Sequence, residues 1–218
     1  MTIKINKDTV IVFDLDDTLY NEIEYLKSAF EEIAYQVDPD DGLQLYAKMF
    51  SMYRDNQDVF KYLVENYHKS KKQLLEVYRN HKPSIKPFYR VAKVIEEIKA
   101  RNGKLGLITD GRVVTQMNKL KSLGLLSHFD KIVISEEIGS EKPSISNYHA
   151  IQNHFKASQY WYIGDNFKKD FVTAKQLGWK TLALLDNGLN IHKTNHLYFD
   201  LEHIPDFMIK SYADLLID

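Results

Sequence analysis

The sequence predicts an α/β fold, a parallel sheet with helices on both faces, interrupted after its first strand by an all-helical insertion. Three observations predict it. Short apolar runs recur at residues 10–13, 105–108, 132–134, 160–163 and 181–185, each bounded by Gly, Asp, Asn or Ser. They are apolar throughout rather than alternating, which suits strands buried on both faces of a parallel sheet. Segments of helical period separate most of them, as right-handed crossovers require. One interval breaks the rhythm: between Phe13 and Leu105 there is no further run of strand type.

The elements follow in order. Residues 10–13 form the first strand, expected at the centre of the sheet. Ile23, Leu26, Phe30, Ile33 and Val37 then fall on one helical stripe, and Leu45, Tyr46, Met49 and Phe50 continue it. Phe60, Leu63, Val64 and Tyr67 carry it further, up to a linker from Pro83 to Pro87. A helix over 91–99 returns the chain to the sheet. The expected division is a core of residues 1–20 and 88–218 with a helical unit of residues 21–87, hinged near Tyr20 and the proline linker. Acids gather in 21–60 and bases in 61–90, which solvated helix faces explain. Beyond the second strand, helices over 113–123 and 168–177 stop at Gly124 and Gly178. Pro143 stands where the first turn of a helix over 145–154 would begin.

Composition excludes several functions. The chain has 218 residues, 44% hydrophobic and 27% charged, enough to bury a full core. The absence of Cys removes disulfides, thiolate metal sites and a Cys nucleophile together. A net charge of −1 leaves no electrostatic case for nucleic acid or an anionic membrane as the main partner. No apolar run approaches the roughly 18 residues of a bilayer span, and residues 1–8 lack the apolar stretch of a signal peptide. The expectation is a soluble cytoplasmic protein, monomeric or homodimeric.

The chemistry sits at strand ends. The first strand runs into Asp14-Leu15-Asp16-Asp17-Thr18. Two carboxylates two residues apart repel if both are ionised and dry, so a hard cation or a shared proton is expected there. The second strand ends in Thr109-Asp110-Gly111, a hydroxyl followed by a glycine turn. Glu141-Lys142-Pro143 places an ammonium beside a helix start, and the fourth strand ends in Gly164-Asp165 with Asp170 five residues on. One rim of the sheet, where such folds bind ligands, therefore collects carboxylates, a hydroxyl and an ammonium. Phosphoryl transfer through an aspartyl-phosphate needs that set.

Taken together, Phe-Asp14-Leu-Asp16-Asp-Thr18-Leu, Ile-Thr109-Asp-Gly, Glu-Lys142-Pro-Ser and Gly-Asp165-Asn-Phe-Lys-Lys-Asp170 resemble the haloacid dehalogenase-like (HAD) superfamily nearly end to end. The resemblance implies a Rossmann-like core and makes residues 21–87 a C1-type helical cap closing over small substrates. It implies a Mg²⁺-dependent phosphatase acting on a small phosphomonoester such as a sugar phosphate or nucleotide. By it Asp14 is the nucleophile and Asp16 the general acid/base, whose main-chain carbonyl is a metal ligand. Thr109, with Asp110 and Gly111, binds the phosphoryl oxygens, and Lys142 screens nucleophile and phosphoryl charge. Asp165 binds Mg²⁺ directly, and Asp170 supports the metal. A raised pKa suits Asp16 in these two roles. Asp110 stands where the family usually has Asn, and its charge repels phosphate unless it points away. Ser144 replaces a common Asp.

Three other activities compete with a phosphatase. A dehalogenase has no alkoxide to protonate and no Mg²⁺ to hold, so Asp16 argues against it. A phosphomutase shares the whole rim and is separated only by cap residues. A silent binding module would be free to lose a catalytic residue, and none is missing. Asp17 reads as a turn residue, and Glu136 and Glu137 as surface. His192 and His196 have an i, i+4 spacing, but their Gly- and Asn-rich segment speaks against zinc. The tyrosines crowded between Tyr20 and Tyr89 read as helix packing with surface hydroxyls.

Overall fold

In the computed structural model, which describes residues 1–218, Ile11 and Phe13 pack into one apolar cluster and Val10 and Val12 into another. The strand that carries them is thus covered on both faces. The chain begins with β1 (Thr2–Ile3) and β2 (Thr9–Phe13), then runs through four helices, α1 (Glu22–Val37), α2 (Gly42–Arg54), α3 (Val59–Tyr67) and α4 (Lys71–Asn80). Helix α5 (Val91–Ala100) leads back to β3 (Lys104–Thr109), α6 (Val113–Ser122), β4 (Lys131–Ile134) and the single turn α7 (Ser135–Ile138). Then come α8 (Ile145–Phe155), β5 (Gln159–Gly164), α9 (Val172–Gln176), β6 (Lys180–Leu184), β7 (Phe207–Ile209) and β8 (Leu216–Ile217).

Six strands form one parallel sheet in the order β4-β3-β2-β5-β6-β7, and β1 pairs with β8 apart from it. The order reverses at β2, between β3 and β5, which opens a crevice beyond the carboxyl ends of the strands. One face of the sheet packs on Val91, Val94, Ile95 and Ile98 of α5. The other packs on Tyr148 and Ile151 of α8, with Trp179 beside them.

Helices α1–α4 close a third cluster of their own, with Phe30 and Ile33 of α1 against Met49, Leu63 and Leu74. Helix α1 straddles two layers, because Tyr25 and Ala29 belong to the sheet cluster instead. Its Tyr25 hydroxyl is not at the surface but donates to the Tyr78 carbonyl at 2.5 Å. Helix α6 holds the end of α4, with Thr115 donating to the Arg79 carbonyl at 2.9 Å and Asn118 to that of Asn80 at 3.1 Å.

Two expectations about elements change. The helix read over 168–177 begins only at Val172, because residues 165–170 form a turn in which the Asp170 N–H donates to the Asn166 carbonyl. Pro143 lies outside α8, whose N-cap is Ser144. No helix is long and apolar enough to cross a membrane.

Candidate active site

Asp14 follows β2, and its N–H continues the ladder to the Ile163 carbonyl at 2.9 Å. The loop before α8 delivers Lys142, whose ammonium donates to Asp14 Oδ1 at 2.6 Å and to Asp170 Oδ1 at 2.8 Å. Asp170 is fully buried, and its Oδ2 accepts the N–H groups of Asp165 at 3.1 Å and Asn166 at 2.9 Å. Gly164 makes that turn possible, since a Cβ there would land on the Asp170 carboxylate. Asp165 Oδ2 in turn accepts from Asn190 at 2.8 Å. Oxygens of Asp14, Asp165 and Asp170 all lie within 4.8 Å of one another.

Three buried carboxylates around one ammonium leave negative charge in excess. Burial, with Asp170 nearby, pushes the Asp14 carboxyl up to about 7 even against Lys142. Burial and then Asp170 and Asp14 carry Asp165 well above the usual carboxylate range. The same two aspartates overcome burial at Lys142 and hold its ammonium charged. An all-oxygen donor set with uncompensated charge fits a hard divalent cation. Asp14 accepts only the bond from Lys142, and Asp165 Oδ1 only a long one from Thr18 Oγ1 at 3.4 Å, so both carboxylates keep lone pairs for it. Both Asp170 oxygens are taken by the chain, so Asp170 fixes the turn and Lys142.

Asp16 has other company. Its Oδ1 accepts from Lys119 at 2.7 Å and from the Tyr20 hydroxyl at 2.5 Å, and its Oδ2 from Gln116 at 2.8 Å. Burial pushes its carboxyl up, but Lys119 and these donors outweigh burial and hold it below the usual range. The raised pKa expected from the sequence is therefore not found, because a buried lysine faces this carboxylate. Gln116 also donates to Thr109 Oγ1 at 2.6 Å. Glu22, at the start of α1, lies 3.8 Å from the same Lys119, and burial pushes it up to about 8.

Asp110 turns its Oδ1 to the Lys142 N–H at 2.9 Å and its Oδ2 to the Lys169 ammonium at 2.9 Å. Gly111 is not brought to the pocket. Its N–H donates to Ser135 Oγ at 2.9 Å, and it faces a separate groove. Asp17 accepts the N–H groups of Glu22 and Ile191, both at 2.8 Å, and so ties two loops together, as a turn residue should.

The predicted Asp14, Asp16, Thr109, Asp110, Lys142 and Asp165 line one pocket of about 100 Å³ with no apolar side chain. Glu22, Asn166, Lys169 and His192 complete its wall and were not foreseen. Of His192 and His196, only His192 faces this pocket.

A model of the haloacid dehalogenase-like hydrolase family matches residues 11–184, most of the chain. The chain belongs to this family. Among its relatives, a glyceraldehyde 3-phosphate phosphatase from Methanocaldococcus jannaschii is 31% identical, over 94% of both chains. A phosphoglycolate phosphatase from Aquifex aeolicus is 26% identical, over 95% of this chain and 94% of its own. Among solved structures, a 2-haloacid dehalogenase from Pseudomonas syringae pv. Tomato DC3000 aligns with a TM-score of 0.63 at 20% identity, covering 96% of each chain. That last likeness speaks for the haloacid dehalogenase-like fold alone. The family match and the phosphatase relatives support a hydrolase of phosphoric esters.

Proposed function

We propose that the chain is a Mg²⁺-dependent phosphatase that hydrolyses a small phosphomonoester through an aspartyl-phosphate on Asp14. Residues 21–87 serve as the cap over a core of 1–20 and 88–218. The observation that carries this reading is Lys142 bridging Asp14 and Asp170 within the buried carboxylate cluster. A lysine there orients the nucleophile and screens its approach to an anionic phosphoryl group. Asp14 Oδ2 accepts no hydrogen bond from the chain and remains free to attack phosphorus. The P–O bond to the leaving alkoxide then breaks as the bond to Asp14 forms.

Thr109 Oγ1 accepts from Gln116, and its own proton, held only by a 3.5 Å contact to the Asp110 carbonyl, can turn to a phosphoryl oxygen. Asp16 serves both steps. It delivers a proton to the leaving oxygen, then takes one from the water that cleaves the phospho-aspartate. Lys119 favours the second role by keeping Asp16 ionised. The bound phosphate dianion favours the first, since a nearby like charge raises a carboxyl pKa. Asp14, Asp165 and the Asp16 carbonyl would hold Mg²⁺, which supplies positive charge for the transferring phosphoryl group.

The wall without apolar side chains suits a short polar leaving group. The names of the relatives, glyceraldehyde 3-phosphate phosphatase and phosphoglycolate phosphatase, point to the same class. A panel of phosphorylated metabolites and p-nitrophenyl phosphate, assayed for phosphate release with Mg²⁺ and with chelator, tests it. Release from a small substrate that stops on chelation is the expected result. No release from any member of the panel with Mg²⁺ present would sink the reading.

A further inference from the structure

Asp110 is an anomaly for a site that takes a phosphate dianion. It is the residue after Thr109, it lines the same pocket, and its carboxylate is only partly exposed. A lone anion there repels the phosphoryl group and weakens binding. Yet the position needs an acceptor, because Asp110 Oδ1 takes the N–H of Lys142 and so fixes the loop that aims the Lys142 ammonium. The second oxygen shows how the conflict is relieved. Oδ2 lies 2.9 Å from Lys169 Nζ, and Lys169 sits one residue before Asp170, on the turn that the Asp170 carboxylate fixes. Its other acidic neighbour, Glu141 at 3.9 Å, is mostly exposed and competes weakly.

We propose that Asp110 and Lys169 act as one charge-neutral unit in the phosphate pocket, with Lys169 a positioning residue that cancels the Asp110 charge and so sets phosphate affinity. The proposal rests on the phosphatase reading. Asp110 keeps its structural task of holding the Lys142 loop, and Lys169 removes the electrostatic penalty of that task. In this role Lys169 acts through Asp110 rather than on the reacting atoms.

The test uses four full-length proteins with Mg²⁺ saturating: wild type, Asp110→Asn, Lys169→Gln and the double variant. Asparagine keeps an oxygen for the Lys142 N–H while removing the charge. The readouts are the inhibition constant of inorganic phosphate and the KM and kcat for p-nitrophenyl phosphate. Lys169→Gln alone should raise the inhibition constant and KM about tenfold, with kcat changed by less than about threefold. Asp110→Asn alone should tighten phosphate, because Lys169 is then uncompensated. The double variant should return to within about threefold of wild type, since the pocket is then neutral again, whereas a merely structural role of Lys169 would leave it as weak as Lys169→Gln. Lys169→Arg, which keeps the charge, should stay near wild type and guards against misfolding of the glutamine variant. A double variant as weak as Lys169→Gln alone, or no effect of Lys169→Gln in either background, would overturn the pairing. A wild type that neither turns over the substrate nor binds phosphate would instead overturn the phosphatase reading.

Discussion

Lys119 donates to Asp16 across 2.7 Å from the core helix α6, while its ammonium lies 4.6 Å from the centre of the Tyr25 ring on α1. One buried lysine therefore touches both the candidate acid/base and the helix that opens the four-helix segment. A buried ammonium needs such partners, and here it has two carboxylates and an aromatic face. The consequence for Asp16 is a carboxylate that gives up its proton easily.

Replacing Lys119 by Met should reverse that. Burial then acts on Asp16 with little opposition, so its pKa rises. The step in which Asp16 accepts a proton from water needs the ionised form, so activity should fail first on the acid side. We expect the acid limb of the kcat profile to move up by at least about one pH unit. An unmoved limb would count against Asp16 as the base.

Asp14→Asn keeps the size of the side chain and removes the attacking anion. Turnover should fall at least about 10³-fold, and acid-quenched enzyme should carry no labelled phosphate. Asp16→Asn should slow both protonation of the leaving group and breakdown of the intermediate. Near-normal, metal-dependent turnover by Asp14→Asn would force the chemistry onto another carboxylate.

The parts legible in the sequence are those set locally. Residues 10–13 read as a buried strand because both faces are covered, and Asp14, Thr109 and Asp165 follow strands directly, so their placement needs only the strand ends. Lys142 and Asp170 were found the same way, on the loops just beyond. What escaped depends on tertiary placement. Gln116 and Lys119 are one turn apart on α6 among other polar residues, and periodicity gives them a face without saying what that face meets. Asn190 and Lys169 act across 25 and 59 positions of chain, on Asp165 and Asp110. Strands β7 and β8, of three and two residues, are too short to carry a period and exist through pairing with β6 and β1. Helix α9 is shorter than its periodicity predicts because Asp170 spends its hydrogen bonds on the turn before it.

Gly164→Ala should damage the site without touching a charged residue. The added methyl strikes the Asp170 carboxylate, which holds two backbone N–H groups and Lys142. Forcing an atom into such packing costs about 1–3 kcal/mol, and displaced supporting residues typically weaken a metal roughly 10–100-fold. Calorimetric titration with Mg²⁺ checks this, and wild-type affinity in the variant would show that Asp170 does not position the site.

Burial pushes Asp14 to about 7, Glu22 to about 8 and Asp165 well above the usual range, while the unfolded chain releases these protons near pH 4. Between those limits the folded, metal-free protein holds more protons than the unfolded one. Its stability from these groups is therefore full below about pH 4 and lost as pH rises through about 7–8. His192, pushed down by burial and Lys169, works the other way but is one group against four, since burial also pushes Asp17 up to about 6. Bound to the ionised carboxylates as proposed, Mg²⁺ should reverse the trend, adding about 2.7 kcal/mol at one hundred times its Kd. For a chain of this size each kcal/mol moves Tm by roughly 2–4 °C. Chelated wild type should thus melt lower at pH 8 than at pH 6, and Mg²⁺ should raise Tm more at pH 8. Asp14→Asn, which has no proton to lose, should melt above chelated wild type at pH 8, by a margin that narrows toward pH 4. Comparing the two proteins at each pH cancels the contribution of His192 and of other groups that do not interact with Asp14. If the chelated variant melts below wild type at pH 8, Asp14 is not the strained anion that burial among Asp165 and Asp170 makes it, and the case for a cation at this cluster falls with it.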